Sequence, residues 1–200
     1  MPSAISAAAC CSAPDEEMTP LAIKADDPRY PAFLRERLGA EVPPELTALG
    51  NLDLLALPKT AVFCSTRCPG NVILPTYDQA ARWRDAERCV ISGFHSPVAK
   101  ECLRILLRGA TPVILCPARG MLERLPAQWA IAVAGGWMLL LSCFPMAANR
   151  VTAELATRRN EFIAALADEV FVAHATPGGR LESLLHKINL WHLPCRHPGH

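Results

Sequence analysis

The sequence predicts an α/β fold in three layers, a parallel sheet with helices on both of its faces. Three observations carry that expectation. From Thr60 onward, short apolar runs alternate with helical segments. The runs at 61–64, 88–91, 111–116, 137–141 and 170–173 do not alternate apolar with polar residues, which marks strands covered on both faces. Small, hydroxylic or turn-forming residues follow most of these runs, where buried strands feed loops. At least five parallel strands are expected, with 61–64 in the interior.

The elements follow in order. Residues 1–20, rich in Ala, Ser and acidic residues, read as a tail. Residues 21–57 read as an N-terminal connector with a short helical piece at 32–38 and an extended path through Pro43-Pro44. Residues 58–194 form the α/β domain, and 195–200 a second tail. A helix is expected over 77–87, with Thr76 as N-cap and Gln79 completing a capping box. Ser96, Pro97 and Gly109 bracket the best-signalled helix, on which Val98, Cys102, Ile105 and Leu106 make an apolar stripe. Residues 121–134 read as a helix in two pieces because Pro126 interrupts it. A long helical region covers 151–167, as one helix or two. A last short helix over 181–187 and an edge strand over 189–193 close the fold.

Two hundred residues, 51% hydrophobic and 20% charged, are enough to bury the core of one ordinary domain. A formal net charge of +1 does not describe a uniformly basic nucleic-acid binder, so an anion site must be local. Nine cysteines show no evenly spaced disulfide framework. Cys64, Cys89, Cys116 and Cys143 fall in or at the ends of expected strands and Cys102 on an apolar helix face, where free cysteine acts as a small hydrophobe. A reducing cytoplasm with neither disulfide nor zinc is therefore expected. The first 19 residues lack the charge and apolar core of a signal peptide. The most apolar stretch, 136–144, falls far short of the roughly 20 residues of a membrane helix, so no membrane partner is expected.

The organising stretch is Ala61-Val62-Phe63-Cys64-Ser65-Thr66-Arg67. A buried strand running into small hydroxyl residues and an arginine suits an anion, because ligands of open α/β sheets bind beyond the carboxyl ends of the strands. Arginine adds a planar, permanently charged fork. The other strand-end loops have the same character: Ser92-Gly93-Phe94-His95-Ser96, Pro117-Ala118-Arg119-Gly120, Ser142 to Pro145, and Thr176 to Gly179. None contains a carboxylate, which favours phosphate over metal or acid–base chemistry. The bland alternative is that turns simply use such residues. Arg158-Arg159-Asn160 is a second cluster. If Thr157 caps a new helix, both arginines oppose the helix dipole. If one helix runs through, Arg159 falls on a buried stripe and needs a partner. The terminal Cys195-x-His197-x-x-His200 lacks the paired spacing of a structural zinc site. No catalytic residues, metal or cofactor are indicated.

At these residues the chain resembles the DNA-processing protein A (Smf) family, from about Leu21 to Leu193. Tyr30-Pro31, Leu34, and Pro44 with Leu46 through Gly50 match its connector; Ser65-Thr66-Arg67, Ser92-Gly93 and Ser142-Cys143-Phe144-Pro145 match its strand ends. Arg159-Asn160-Glu161-Phe162-Ile163-Ala164-Ala165-Leu166 before a buried strand matches its most telling motif, and Gly178-Gly179 its closing loop. Three departures stand out. Phe94-His95-Ser96 replaces an Ala-Arg-Gly, so the family's arginine and a following aspartate are lost. Ser65 replaces a glycine, and Ala156 a phenylalanine.

The resemblance implies a Rossmann-like sheet and a single-stranded DNA-binding role in DNA processing and recombination during DNA uptake. It implies phosphate contacts from Ser65, Thr66, Arg67, Ser92, Gly93, Arg158, Arg159, Asn160, Gly178 and Gly179, with Phe94 or His95 open to base stacking. Arg67 and Arg159 are expected to face one pocket floored by Ser92-Gly93. Expected partners are single-stranded DNA or a nucleotide, a strand-exchange recombinase, and a second copy of the chain in a homodimer. Two other readings stay open: a nucleotide-binding sensor domain, and a phosphoribohydrolase of the related cytokinin-activating group. The enzyme reading is weaker, because Pro177-Gly178-Gly179 is followed by neither the threonine nor the glutamate of that group's loop.

Overall fold

Residues 19–148 and 150–198 are described by the computed structural model. All but the end of the tail at 1–20 lies outside them, as do Cys10, Cys11 and His200. The buried strands sort their side chains strictly by parity, as a pleated strand must. Ala61, Phe63, Ile91, Ile114, Leu139, Leu141, Val170 and Val172 enter one apolar layer. Val62, Cys64, Val90, Val113, Leu115, Leu140, Phe171 and Ala173 enter the other.

The sheet has eight strands: β1 (Leu21–Lys24), β2 (Glu45–Gly50), β3 (Lys59–Cys64), β4 (Cys89–Ser92), β5 (Val113–Leu115), β6 (Met138–Ser142), β7 (Glu169–His174) and β8 (Cys195–Arg196). Their order is β1-β2-β6-β5-β4-β3-β7-β8. The six from β6 to β8 run parallel, with β3 between β4 and β7. Among the described residues there are six α-helices: α1 (Phe33–Leu38), α2 (Gly70–Asp85), α3 (Pro97–Leu106), α4 (Ala127–Ala134), α5 (Ala153–Leu166) and α6 (Arg180–Leu190). Buried residues of α1, α5 and α6 share the first apolar layer, and those of α2, α3 and α4 the second. This is the expected three-layer, Rossmann-like α/β architecture.

Several local expectations are corrected. The connector supplies two strands: β1 pairs antiparallel with β2, and β2 with β6. Ile23, Leu46 and Ala48 are buried in the same core as the parallel strands, so sheet pairing recruits a segment with little local signal. Helix α2 starts at Gly70, well before Thr76, and runs through Pro75. Thr76 is no cap; its hydroxyl donates to Val72 O at 2.7 Å, the back-bond of a mid-helix threonine. Residues 121–126 are not helical, and α4 begins only after Pro126, whose ring disfavours helix in the residue before it. Helix α5 is single. Thr152 caps it through Leu155 N at 3.1 Å, and Thr157 donates back to Ala153 O at 3.1 Å. The edge strand expected at 189–193 is the end of α6 and a turn; the pairing falls at Cys195, opposite Val170.

The seven described cysteines are free thiols. Burial pushes the thiols of Cys64, Cys102 and Cys143 up to about 12 and that of Cys89 to about 11, so they sit in the structure as neutral side chains. At the C-terminus, Cys195 Sγ and His197 Nε2 stand 3.9 Å apart, and no group of three metal-ligating side chains occurs among the described residues.

Candidate functional site

The chain leaves β3 toward β4 on one side and leaves β7 toward β8 on the other. Crossovers that diverge from neighbouring parallel strands leave a gap beyond their carboxyl ends. A cleft of about 460 Å³ lies there. Cys64, Ser65, Thr66 and Arg67 line it from β3, and Thr176, Gly178 and Gly179 from β7. Arg180 and Leu181 open α6, Ala156 and Asn160 come from α5, and His95 comes from the β4 loop.

Two loops form its walls and hold each other. Ser65 N donates to His174 O at 2.9 Å, and Ser65 Oγ accepts from Thr176 N at 3.0 Å. Gly178 adopts φ +69°, which favours glycine, and its amide donates to Glu182 Oε2 at 2.7 Å. A Cβ on Gly179 would stand 2.8 Å from Thr176 O, to which the Gly179 amide already donates. The glycine amides are therefore engaged within the loop. The donors left for a ligand are side chains and the first turn of α6, whose leading amides have no acceptor inside the helix.

Arg67 and Arg180 stand exposed at the cleft, and among the described residues neither pairs with a carboxylate. No Asp or Glu lines it. The cleft can thus hold an anion between two planar cationic forks and a helix start.

Arg159 differs from its expected place. It is 2% exposed and does not reach the cleft. Its Nε donates to Asn160 Oδ1 at 3.0 Å, and its Nη2 lies 3.0 Å from His95 Nδ1. Burial lowers its pKa from the ordinary arginine value, yet no carboxylate pairs with it among the described residues. It is a buried cation directly behind two cleft residues. Burial, with Arg159 and then Lys100 adding repulsion, lowers the His95 pKa to about 4, although the outer part of that residue is exposed.

Ser92 and Gly93 also lie behind the cleft. Ser92 Oγ donates to Val62 O at 2.7 Å and accepts from Phe94 N at 3.2 Å. Gly93 is needed because an added Cβ would meet Arg159 Nη1 at 2.0 Å. Phe94, at φ +44°, is 4% exposed in the apolar layer, so its ring offers no face for stacking. Arg158 points elsewhere, 5.9 Å over the Phe144 ring, beside Glu161 and Leu38. Of the expected residues, the structure brings Ser65, Thr66, Arg67, His95, Asn160, Gly178 and Gly179 to one cleft. Thr176 comes from a loop the sequence placed at this edge, whereas sequence reading missed Arg180. The signal for Arg180 was a cation at the first position of a helix after a glycine loop, where the dipole disfavours it.

An open, doubly covered sheet with an arginine-lined cleft at its switch point defines a Rossmann-like α/β protein. The chain belongs to the DNA recombination-mediator protein A family, whose model matches residues 22–184. Among solved structures it is similar to DNA processing protein A from Streptococcus pneumoniae, with a TM-score of 0.71 and 22% identity over 90% of this chain and 63% of that one. It is also similar to DNA processing protein A from Helicobacter pylori, whose structure is described with its single-stranded DNA binding mode. There the TM-score is 0.65 with 19% identity, over 78% of this chain and 72% of that one. At such identities the likeness is one of fold. The chain thus spans less than two thirds of the pneumococcal protein. No curated protein matches it in sequence.

Proposed function

We propose that the chain binds single-stranded DNA in the switch-point cleft and acts in DNA processing and recombination. The observation that carries this reading is a cleft with two unpaired arginines and no carboxylate, in a member of the recombination-mediator family. Arg67 and Arg180 clamp backbone phosphates from opposite walls, and Thr66 with the first turn of α6 adds neutral donors. His95 is the ring that lines the cleft among the described residues, whereas Phe94 is buried. The phosphoribohydrolase reading would need a carboxylate at this cleft to assist bond cleavage, and among the described residues none lines it. A strand-exchange recombinase partner, a homodimer and a cytoplasmic location belong to the same proposal and rest on the family. Among the described residues no helix is long and apolar enough to cross a membrane.

The test is a polarisation titration of the full chain with a labelled single-stranded oligonucleotide, competed by nucleoside monophosphates. Binding that weakens steeply with salt and resists competition supports DNA as the ligand. Displacement by micromolar monophosphate supports the nucleotide-sensor reading, which the small net charge favours.

A further inference from the structure

Among the described residues Arg159 is the largest fully buried side chain, and it does not line the cleft. Its two side-chain partners, His95 and Asn160, both line the cleft. A guanidinium has donors only. The acceptor at 3.0 Å must therefore be the lone pair of His95 Nδ1, and at Asn160 it must be Oδ1. The ring proton of His95 is then confined to Nε2, and Asn160 has its Oδ1 held against Arg159, which fixes the side of the amide that carries the NH₂. A cationic His95 would press Nδ1–H against an N–H of Arg159. Gly93 holds the arrangement tight, since any side chain there would occupy the guanidinium's place. We propose that Arg159 is a positioning residue that occupies the one ring acceptor of His95 and fixes the amide of Asn160 by its Oδ1, so that both offer the cleft neutral N–H donors and favour a ligand group that only accepts, a phosphodiester oxygen.

Among the described residues, Lys100 from α3 acts on His95, and Cys64 and Arg67 from the β3 end and Arg180 from α6 are the other charged or titratable groups lining the cleft with it. None is a carboxylate that could stabilise a protonated ring. The low pKa of His95 agrees with the geometry. The consequence is a phosphate site with a histidine in it whose affinity does not rise when the pH falls through the ordinary histidine range.

The selection of phosphate rests on the DNA-binding reading, but the proton assignment is testable without DNA. In long-range ¹H–¹⁵N spectra of the full chain with labelled histidine, the signal lost in His95→Gln identifies His95. A neutral Nε2–H tautomer at about pH 5.5, well below the ordinary histidine pKa, supports the proposal. An Nδ1–H tautomer, or titration near 6.5, overturns it. The second arm is affinity for labelled oligothymidylate between about pH 5.5 and 8, a range in which the phosphodiesters do not titrate. The wild type and His95→Gln are expected to share one pH profile. In Arg159→Met the ring is freed, and affinity should rise about fivefold toward low pH as a charge-assisted bond replaces a neutral one. That rise should vanish in the Arg159→Met/His95→Gln double variant. A His95-dependent rise already in the wild type, or a flat profile in Arg159→Met, overturns the proposal. If no oligonucleotide binds at all, the DNA-binding reading falls, and the spectra still decide the proton assignment.

Discussion

Two halves of the sheet's carboxyl edge are built from the same kind of residue and end differently. Beyond β3 and β7 the loops Ser65-Thr66-Arg67 and Thr176 to Gly179 stand apart and open the cleft. Beyond β5 and β6 the loops close on each other. Ser142 Oγ donates to Arg119 O at 2.7 Å and accepts from Phe144 N at 3.1 Å. Gly120 N donates to Ala148 O at 2.9 Å, and Ala118 and Phe144 are buried. Small hydroxylic residues and an arginine therefore do not make a site. Diverging crossovers make it, because they remove the neighbouring loop that would otherwise pack across the strand ends.

The largest expected effects come from the two glycines at the back of these halves. In Gly120→Ala the new Cβ would meet Pro145 O and Met146 O at 2.7 and 2.8 Å, backbone that cannot swing away. A loss of about 3 kcal/mol in urea unfolding is expected, the upper end for overpacking. Gly93→Ala should cost somewhat less, about 2 kcal/mol, because its obstacle is a side chain. It should also weaken oligonucleotide binding, by displacing Arg159 from His95, whereas the binding of refolded Gly120→Ala stays normal. Equal binding losses in both variants would dissolve the distinction between open and sealed halves.

Next come the exposed arginines. Arg67→Ala and Arg180→Ala should each weaken single-stranded DNA binding by about 1.5–3 kcal/mol, the value of a charge-assisted contact, with melting temperature unchanged. Each should lower the salt slope by about 0.7, the share of one single-strand phosphate. Arg119→Ala, in the sealed half, is the matched control and should leave titration curves and salt slope as they were. If Arg119→Ala binds as weakly as Arg67→Ala, phosphate contacts extend across the whole edge.

A smaller effect is expected from Ser142→Ala. It strips hydrogen bonds from Arg119 O and Phe144 N and should lower unfolding stability by about 1 kcal/mol, leaving binding intact. Ser65→Ala unties Thr176 in the open half and should do the reverse: little change in melting, but faster dissociation of DNA as the two walls part. Stopped-flow measurements on this pair separate a wall from a seal.

A separate effect, screened by solvent at the exposed outer part of the ring, is the pH dependence of stability from His95. Its folded pKa of about 4 lies below the ordinary value of 6.5, so the unfolded chain binds the extra proton between those limits. The stabilisation is complete above about pH 6.5, declines as pH falls toward 4, and changes no further below that. Urea midpoints of wild type and His95→Gln should converge over that window. Midpoints that stay parallel would show that His95 titrates alike in the folded and unfolded chain.

Much of the fold was legible. The runs at 61–64, 88–91, 137–141 and 170–173 are local facts, and two covered faces need no more than continuous apolarity. The helix from Pro97 was readable because Ser96 and Pro97 signal its start chemically. The start of α2 was not, because Pro75 and Thr76 are ordinary signals of a helix beginning, and Pro75 is here carried inside one. Strands β1 and β2 were missed for a different reason. Strand β2 pairs with β6 across about ninety positions and β1 joins the sheet only through β2, and no local pattern encodes either pairing.

The site divides in the same way. The sequence alone determined which residues stand at the strand ends, that they lack carboxylates, and that Arg159 on a buried stripe required a partner. A strand must stop where apolar residues stop, and a buried cation must be satisfied wherever it lies. Only the tertiary structure decided which loops face each other, that Phe94 turns into the apolar layer, and that the partners of Arg159 are His95 and Asn160. Arg158 and Arg159 are chemically identical neighbours. Successive helix positions point about 100° apart, so packing α5 against the sheet sends one guanidinium beneath the cleft and the other out over Phe144.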